Sequence, residues 1–287
     1  MQENNSNTKT AFVFPGQGAQ FTGMGKDLYD TDSGAKKVFD TLEAIRPGTI
    51  NQCFSAPKEE LSITINTQPC IFAVSMANAL SDKNKDVKPT AVAGFSLGEV
   101  CALTYAGVLS LEDGFKAVIK RAEFMTDCAK NHTGAMSAVL KLDAQAVEKL
   151  AEQAGVYPVN YNCPGQIVVS GEASKMAEFN ALVNSNGGRA LALPVSGAFH
   201  SPLMGAAAAE FKKYLDTLTF NAPKVCIYAN TTAKPHQANT IKDAFAAQIS
   251  SPVLWEQTVR NMRADGIENF IELEPGKVLT GLISKIN

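Results

Sequence analysis

Thr90-Ala91-Val92-Ala93-Gly94-Phe95-Ser96-Leu97-Gly98-Glu99 is the stretch on which the fold turns. Thr90–Ala93 reads as a short apolar strand, and Glu99–Gly107, built of small residues, reads as a helix. Between them lies Gly94-Phe95-Ser96-Leu97-Gly98, a GxSxG sequence in the strand-then-helix context that a nucleophile elbow requires. The glycines permit a tight turn and close packing, so the serine hydroxyl projects from it. A helix beginning just after Ser96 aims unpaired N–H groups and its positive end at the same point. An oxyanion formed there gains about 3–4 kcal/mol per donor. A Gly-rich βα turn with an incidental serine fits the same residues.

The alternation of apolar runs and helical segments continues on both sides and predicts an α/β fold. Upstream, Ala11–Phe14 reads as a buried strand ending at Pro15-Gly16, and Thr67–Leu80 as a mostly apolar helix with Pro69 near its start. Downstream, Leu111, Phe115, Val118, Ile119, Ala122 and Met125 share one face of an amphipathic helix over Leu111–Met125. Arg121 lies beside that stripe, a position also open to a solvated arginine.

From His132 to Val195 the pattern changes to strand Gly134–Leu140, helix Asp143–Ala154, strands Val156–Asn160 and Gln166–Ser170, helix Ala173–Asn184 and strand Arg189–Val195. That β-α-β-β-α-β order is the ferredoxin-like arrangement, here a subdomain inserted in the main sheet. The expected division is a core of residues 10–131 and 198–287, a subdomain of 132–197, and a disordered lead-in of 1–9. After the insertion, Ser201-Pro202 signals a helix start. Strands at Val225–Ala229 and Phe270–Leu273, helices at Ile241–Ile249 and Val253–Arg263, and a last helix opened by Pro275-Gly276 complete the reading.

With 287 residues, 45% hydrophobic and 19% charged, the chain has an ordinary globular composition, and its net charge of −2 offers no basic excess for nucleic acid or a membrane surface. No window approaches the apolar length of a membrane span, and MQENNSNTKT carries no apolar core of a signal peptide. The six cysteines (Cys53, Cys70, Cys101, Cys128, Cys163 and Cys226) form no CxxC pair and no zinc spacing, so no metal is expected and the reducing cytoplasm is.

A serine hydroxyl needs a base at neutral pH, and three histidines are available. His236, after Pro235 in a polar stretch, reads as a surface-loop residue, and His132, in Asn-His-Thr-Gly, as a linker residue. His200 precedes the Ser-Pro helix start, a position that favours the neutral form a general base needs, although a packing or capping histidine would sit there too. Gly16-Gln17-Gly18-Ala19-Gln20 lacks the Gly-Lys-Ser/Thr ending of a P-loop. It is either a second source of oxyanion N–H groups or a plain turn.

Together these segments resemble the malonyl-CoA:acyl carrier protein transacylase family. The resemblance runs through Phe14–Gln20, Gly94–Glu99, Arg121 in Lys-Arg-Ala-Glu-Phe-Met, Asn160–Gln166, Gly197–Pro202 and Glu274–Leu282, in order over residues 10 to 286. It implies an α/β-hydrolase-like core with mostly parallel sheet, beside the ferredoxin-like subdomain. It further implies that Ser96 carries the acyl group, His200 takes its proton, and Arg121 holds the malonyl carboxylate. By the same resemblance the N–H groups of Gln17 and Leu97 form the oxyanion hole, Asn162 meets the substrate, and the backbone carbonyl of Gln248 orients His200. The implied partners are malonyl-CoA and acyl carrier protein, which brings its own phosphopantetheine, so no cofactor is expected, and a monomer is. Phe95 departs from the family's usual histidine and Cys163 from its common serine. The rival reading is a serine esterase or thioesterase, whose Ser, Asp/Glu, His order this chain also allows, although it lacks a His-Gly-Gly-Gly segment. A carrier-binding protein without catalysis is a third reading.

Overall fold

The computed structural model describes residues 8–131, 133–195 and 197–287; His132 and the linker role read for it lie outside them. Two sheets organise the chain. One has four parallel strands: β1 (Lys9–Phe14), β2 (Ala91–Gly94), β7 (Cys226–Tyr228) and β8 (Ile267–Glu272), in the order β7-β2-β1-β8. β1 begins at Lys9, within the stretch read as lead-in, because the Lys9 backbone pairs with Ile267 of β8 and its ammonium donates to the Asp265 carbonyl.

The other sheet holds β3 (Gly134–Leu140), β4 (Tyr157–Cys163), β5 (Gln166–Glu172) and β6 (Arg189–Ala192), all antiparallel, in the order β4-β5-β3-β6. Helices Ala144–Ala154 and Ala173–Ser185 complete the βαββαβ unit. Asp143 is an N-cap and not a helical residue: its carboxylate accepts the Ala146 N–H.

Burial explains the difference in strand pattern. β2 is buried at every position and β1 at its last four, because helices cover both faces of the parallel sheet. β3 alternates in part, having one face against a helix layer. The helix Thr64–Ala79 is buried around its whole circumference from Thr67 onward, which marks it as central. The amphipathic helix extends to Asn131, beyond the expected Met125, and packs against it. The short helices Lys26–Thr31, Ser33–Ile45, Thr49–Ser55 and Lys58–Leu61 had no clear periodicity in sequence except the second. They enclose the far side of the main core through Phe39, Leu42, Cys53 and Leu61.

The two sheets are not separate bodies. Met136, Val159 and Val168 of the antiparallel sheet belong to the same apolar cluster as Phe12, Leu97 and Phe199 of the parallel-sheet unit. The backbone of Val253 also bridges to β4, donating to the Val159 carbonyl and accepting from Tyr161 N–H. Among the described residues no helix is long and apolar enough to cross a membrane.

Candidate active site

The turn after β2 is forced into shape by its two glycines. A Cβ on Gly94 would lie 1.9 Å from the Gly98 carbonyl carbon, and one on Gly98 would lie 2.1 Å from the Phe14 carbonyl oxygen. No side chain fits either place. Ser96 sits between them at φ 54°, a left-handed conformation that costs a non-glycine residue about 1–3 kcal/mol. Asn230, just past the end of β7, holds it there: its Oδ1 accepts the Ser96 N–H at 2.7 Å and its Nδ2 donates to the Gly94 carbonyl at 2.5 Å.

Held this way, Ser96 Oγ lies 2.7 Å from His200 Nε2 and accepts a hydrogen bond from Arg121 NH2 at 3.1 Å. His200 is buried, with φ 63°, and its backbone N–H is fixed by the Ile249 carbonyl at 3.1 Å. Its Nδ1 faces two carbonyls, Gln248 at 2.9 Å and Ser251 at 3.2 Å. Carbonyls only accept, so Nδ1 carries the proton and Nε2 is left with a lone pair aimed at the serine hydroxyl. Burial first, and the Arg121 charge second, push the His200 pKa down to about 4. Those two causes keep the ring neutral. Main-chain carbonyls occupy the place where a hydrolase triad would have its carboxylate.

Arg121 is fully buried rather than solvated. Its NH1 donates to Gln68 Oε1 at 2.8 Å and its NH2 to Gln248 Oε1 at 2.7 Å. Nε has no partner, and among the described residues no carboxylate pairs with the guanidinium. Burial lowers its pKa to about 10, with Glu99 opposing the shift, so the group stays cationic at neutral pH. A buried cation without an ion-pair partner is costly, and a bound carboxylate would relieve that cost.

Ser96 and His200 open on a cavity of about 90 Å³, lined also by Gln17, Gln68, Leu97, Met125, Met136, Asn160 and Phe199. Arg121 is not on its wall but lies behind Gln68 and Ser96. Neither the Gln17 N–H nor the Leu97 N–H has a partner among the described residues. Leu97 precedes the helix Gly98–Tyr105, so its N–H stands at that helix's positive end. Leu193 and Phe199 also line a wider cavity of about 780 Å³ that reaches Ile63 and Lys130.

Asn162 stands apart from this cluster. It lines a neighbouring cavity of about 230 Å³ with Gln166 and Leu279, whereas Asn160 lines both that cavity and the one at Ser96. A register shift between Tyr161 and Cys163 of β4 leaves Asn162 out of the regular pairing, so it does not follow the alternation on which Asn160 sits. His236 is corrected too. Its side chain is 2% exposed and its Nε2 lies 2.7 Å from Glu99 Oε1, so it is no surface residue. Phe95 packs edge-on to Trp255 with ring centres 5.8 Å apart, an apolar contact where the family's histidine would be polar.

Asn230, Gln68 and Glu99 were not singled out from sequence. Each carries a usable signal: a polar residue inside or directly after an apolar run, at the carboxyl end of a parallel strand or in a buried helix. Gln248 does two jobs, its carbonyl on His200 and its side chain between Glu99 and Arg121.

The acyl transferase domain model matches residues 11–285. Malonyl CoA-acyl carrier protein transacylase of Bacillus subtilis is 40% identical over 98% of this chain and 91% of its own length. The crystal structure of malonyl CoA-acyl carrier protein transacylase from Clostridium perfringens superposes with a TM-score of 0.93 at 35% identity, covering 97% of this chain and 90% of that one. A type II PKS acyl-carrier protein in complex with its malonyl-transacylase gives a TM-score of 0.93 at 32% identity, covering 97% and 93%. With its elbow, buried arginine and two-sheet architecture described, the chain belongs to the acyl transferase family and, within it, to the malonyl-CoA:acyl carrier protein transacylases.

Proposed function

We infer that this chain transfers the malonyl group of malonyl-CoA to the phosphopantetheine thiol of an acyl carrier protein, through an ester on Ser96. The observation that carries the reading is the placement of one hydroxyl between a neutral imidazole nitrogen at 2.7 Å and a buried guanidinium at 3.1 Å. In the first half-reaction Ser96 Oγ attacks the thioester carbonyl while His200 Nε2 takes its proton. The N–H groups of Gln17 and Leu97 receive the developing oxyanion. The C–S bond breaks and His200 returns the proton to the coenzyme A sulfur. In the second half the carrier thiol gives its proton to His200 and attacks the ester, and Ser96 leaves as the alcohol.

Arg121 selects the donor. A guanidinium can take a carboxylate in two parallel hydrogen bonds, whereas a neutral acyl group leaves the cation buried without a charged partner. Asn160 and, one cavity further, Asn162 are placed for contacts along the thioester arm. No cofactor is required, because the phosphopantetheine arrives on the carrier. Action as a monomer follows from the family resemblance, and six free cysteines, five of them buried, support a cytoplasmic setting.

Intact-mass measurement after mixing with malonyl-CoA tests the reading. A persistent malonyl adduct that is discharged by holo-acyl carrier protein is expected. Rapid release of free malonate would make the chain a hydrolase, and absence of any adduct would make it a binding protein.

A further inference from the structure

Behind the arginine lies a chain of buried polar groups that the proposed reaction does not use. Glu99 is 1% exposed; its Oε2 accepts from Gln248 Nε2 at 2.6 Å, and its Oε1 accepts from the Asn230 N–H at 3.3 Å and lies 2.7 Å from His236 Nε2. Gln248 Nε2 also donates to the Ser96 carbonyl at 2.8 Å and approaches Asn230 Oδ1 at 3.4 Å. On its other side Gln248 Oε1 accepts from Arg121 NH2. The sequence of contacts therefore runs His236, Glu99, Gln248, Arg121, Ser96, from the loop after β7 inward to the reacting hydroxyl.

We propose that Glu99 and His236 are positioning residues for acyl-donor selection: they hold the Gln248 amide with its oxygen toward Arg121, and so keep the guanidinium aimed at the serine and at the acyl carboxylate. The inference rests on the malonyl-transfer reading. An amide has two faces of opposite polarity, and a side chain in a fully buried site can be held either way round. A carboxylate on one side and a guanidinium on the other admit only one orientation. The reverse would set NH2 against the guanidinium and oxygen against the carboxylate, losing two charge-assisted hydrogen bonds. Glu99 is thus the group that reads the amide's direction. It can do so only if its own plane is fixed, and the short contact that fixes Oε1 is His236; the backbone N–H at 3.3 Å is the longer one. Neither residue lines the cavity at Ser96, so both act through Gln248 and Arg121.

The test measures kcat and KM for malonyl-CoA and acetyl-CoA, with one holo-acyl carrier protein as acceptor, in wild type, His236→Leu, His236→Gln and Glu99→Gln, each with a thermal melt. His236→Leu should lower the malonyl-to-acetyl preference by about 10–150-fold, the range of one hydrogen bond to a charged group. His236→Gln keeps an N–H donor at similar reach and should recover the preference to within about threefold. Glu99→Gln preserves shape, removes the charge that orients the amide, and should lower the preference as His236→Leu does, so the inference stays testable if the leucine variant fails to fold. Equal losses on both donors, no loss of preference in Glu99→Gln, or a glutamine variant as damaged as the leucine one would overturn the inference. Wild type that transfers acetyl as well as malonyl would instead overturn the functional reading on which it rests.

Discussion

The two sheets differ in what they give the cavity. The parallel sheet delivers reactive groups: Ser96 at the end of β2, Asn230 at the end of β7, and the Gln17 N–H just past β1, all at the strands' carboxyl ends. The antiparallel sheet delivers walls, with Met136 from β3, Asn160 from β4, and Leu193 and Val195 after β6. In a parallel sheet every strand points the same way, so the segments leaving it converge at one edge, and strained turns there can be tied to one another. An antiparallel sheet sends successive ends in opposite directions and offers a surface instead. Strain, charge and perturbed ionisation accordingly lie on one side of the cavity: Ser96 and His200 with positive φ, and Arg121 buried without an ion pair.

Substitutions should follow this division. The largest effect expected is that of Ser96→Ala, which should abolish the malonyl adduct in intact-mass spectra while leaving the melting transition in place. An ester found on any other serine of the wild-type protein would remove Ser96 from its role. Next, His200→Ala should slow acylation by about 10²–10⁴-fold in stopped-flow or single-turnover assays, the usual range for a lost general base.

Arg121→Ala should cut kcat/KM for malonyl-CoA by an amount equivalent to about 2–5 kcal/mol, while acetyl-CoA transfer holds or improves because no unpaired cation remains. A parallel loss on both donors would assign Arg121 to the fold. On the opposite wall, Leu193→Ala removes apolar contact only. It should change kcat/KM by less than Arg121→Ala does, and mostly through KM, since trimming an apolar wall is worth about 1–3 kcal/mol. A Leu193 effect larger than the Arg121 effect would break the contrast between the sheets.

The smallest effect concerns pH. A histidine titrating at about 4 stays neutral, and so able to accept a proton, as pH falls from 7 to 5. kcat/KM should therefore drop by less than about twofold over that interval, where a histidine of ordinary pKa would lose roughly thirtyfold. Loss should set in only as pH falls through about 4. An acid limb centred near 6.5 would show that the buried environment of His200 is open in solution.

What the sequence determined by itself is what local physics controls. Gly94-x-Ser96-x-Gly98 after an apolar strand specifies the elbow: a side chain on Gly94 would strike Gly98 within the same five residues, although the room at Gly98 is set by the Phe14 carbonyl of β1. Period-two and period-3.6 patterns specify the strands and helices of the βαββαβ unit, whose strand Gly134–Leu140 has the ends expected for it. Tertiary structure alone decided which polar residues go inside. His236 sits in a polar stretch that reads as exposed, yet it is buried because Glu99, 137 positions away, supplies a charged partner that makes burial tolerable. Asn160 and Asn162 lie two residues apart, and a register shift in β4 between Tyr161 and Cys163 sends them to different cavities. Arg121 could have faced water from its place on the helix, and Gln68 and Gln248, from two other elements, draw it inward. Hydrophobic periodicity is a property of neighbours along the chain, whereas the satisfaction of a buried polar group depends on partners that only the fold brings near.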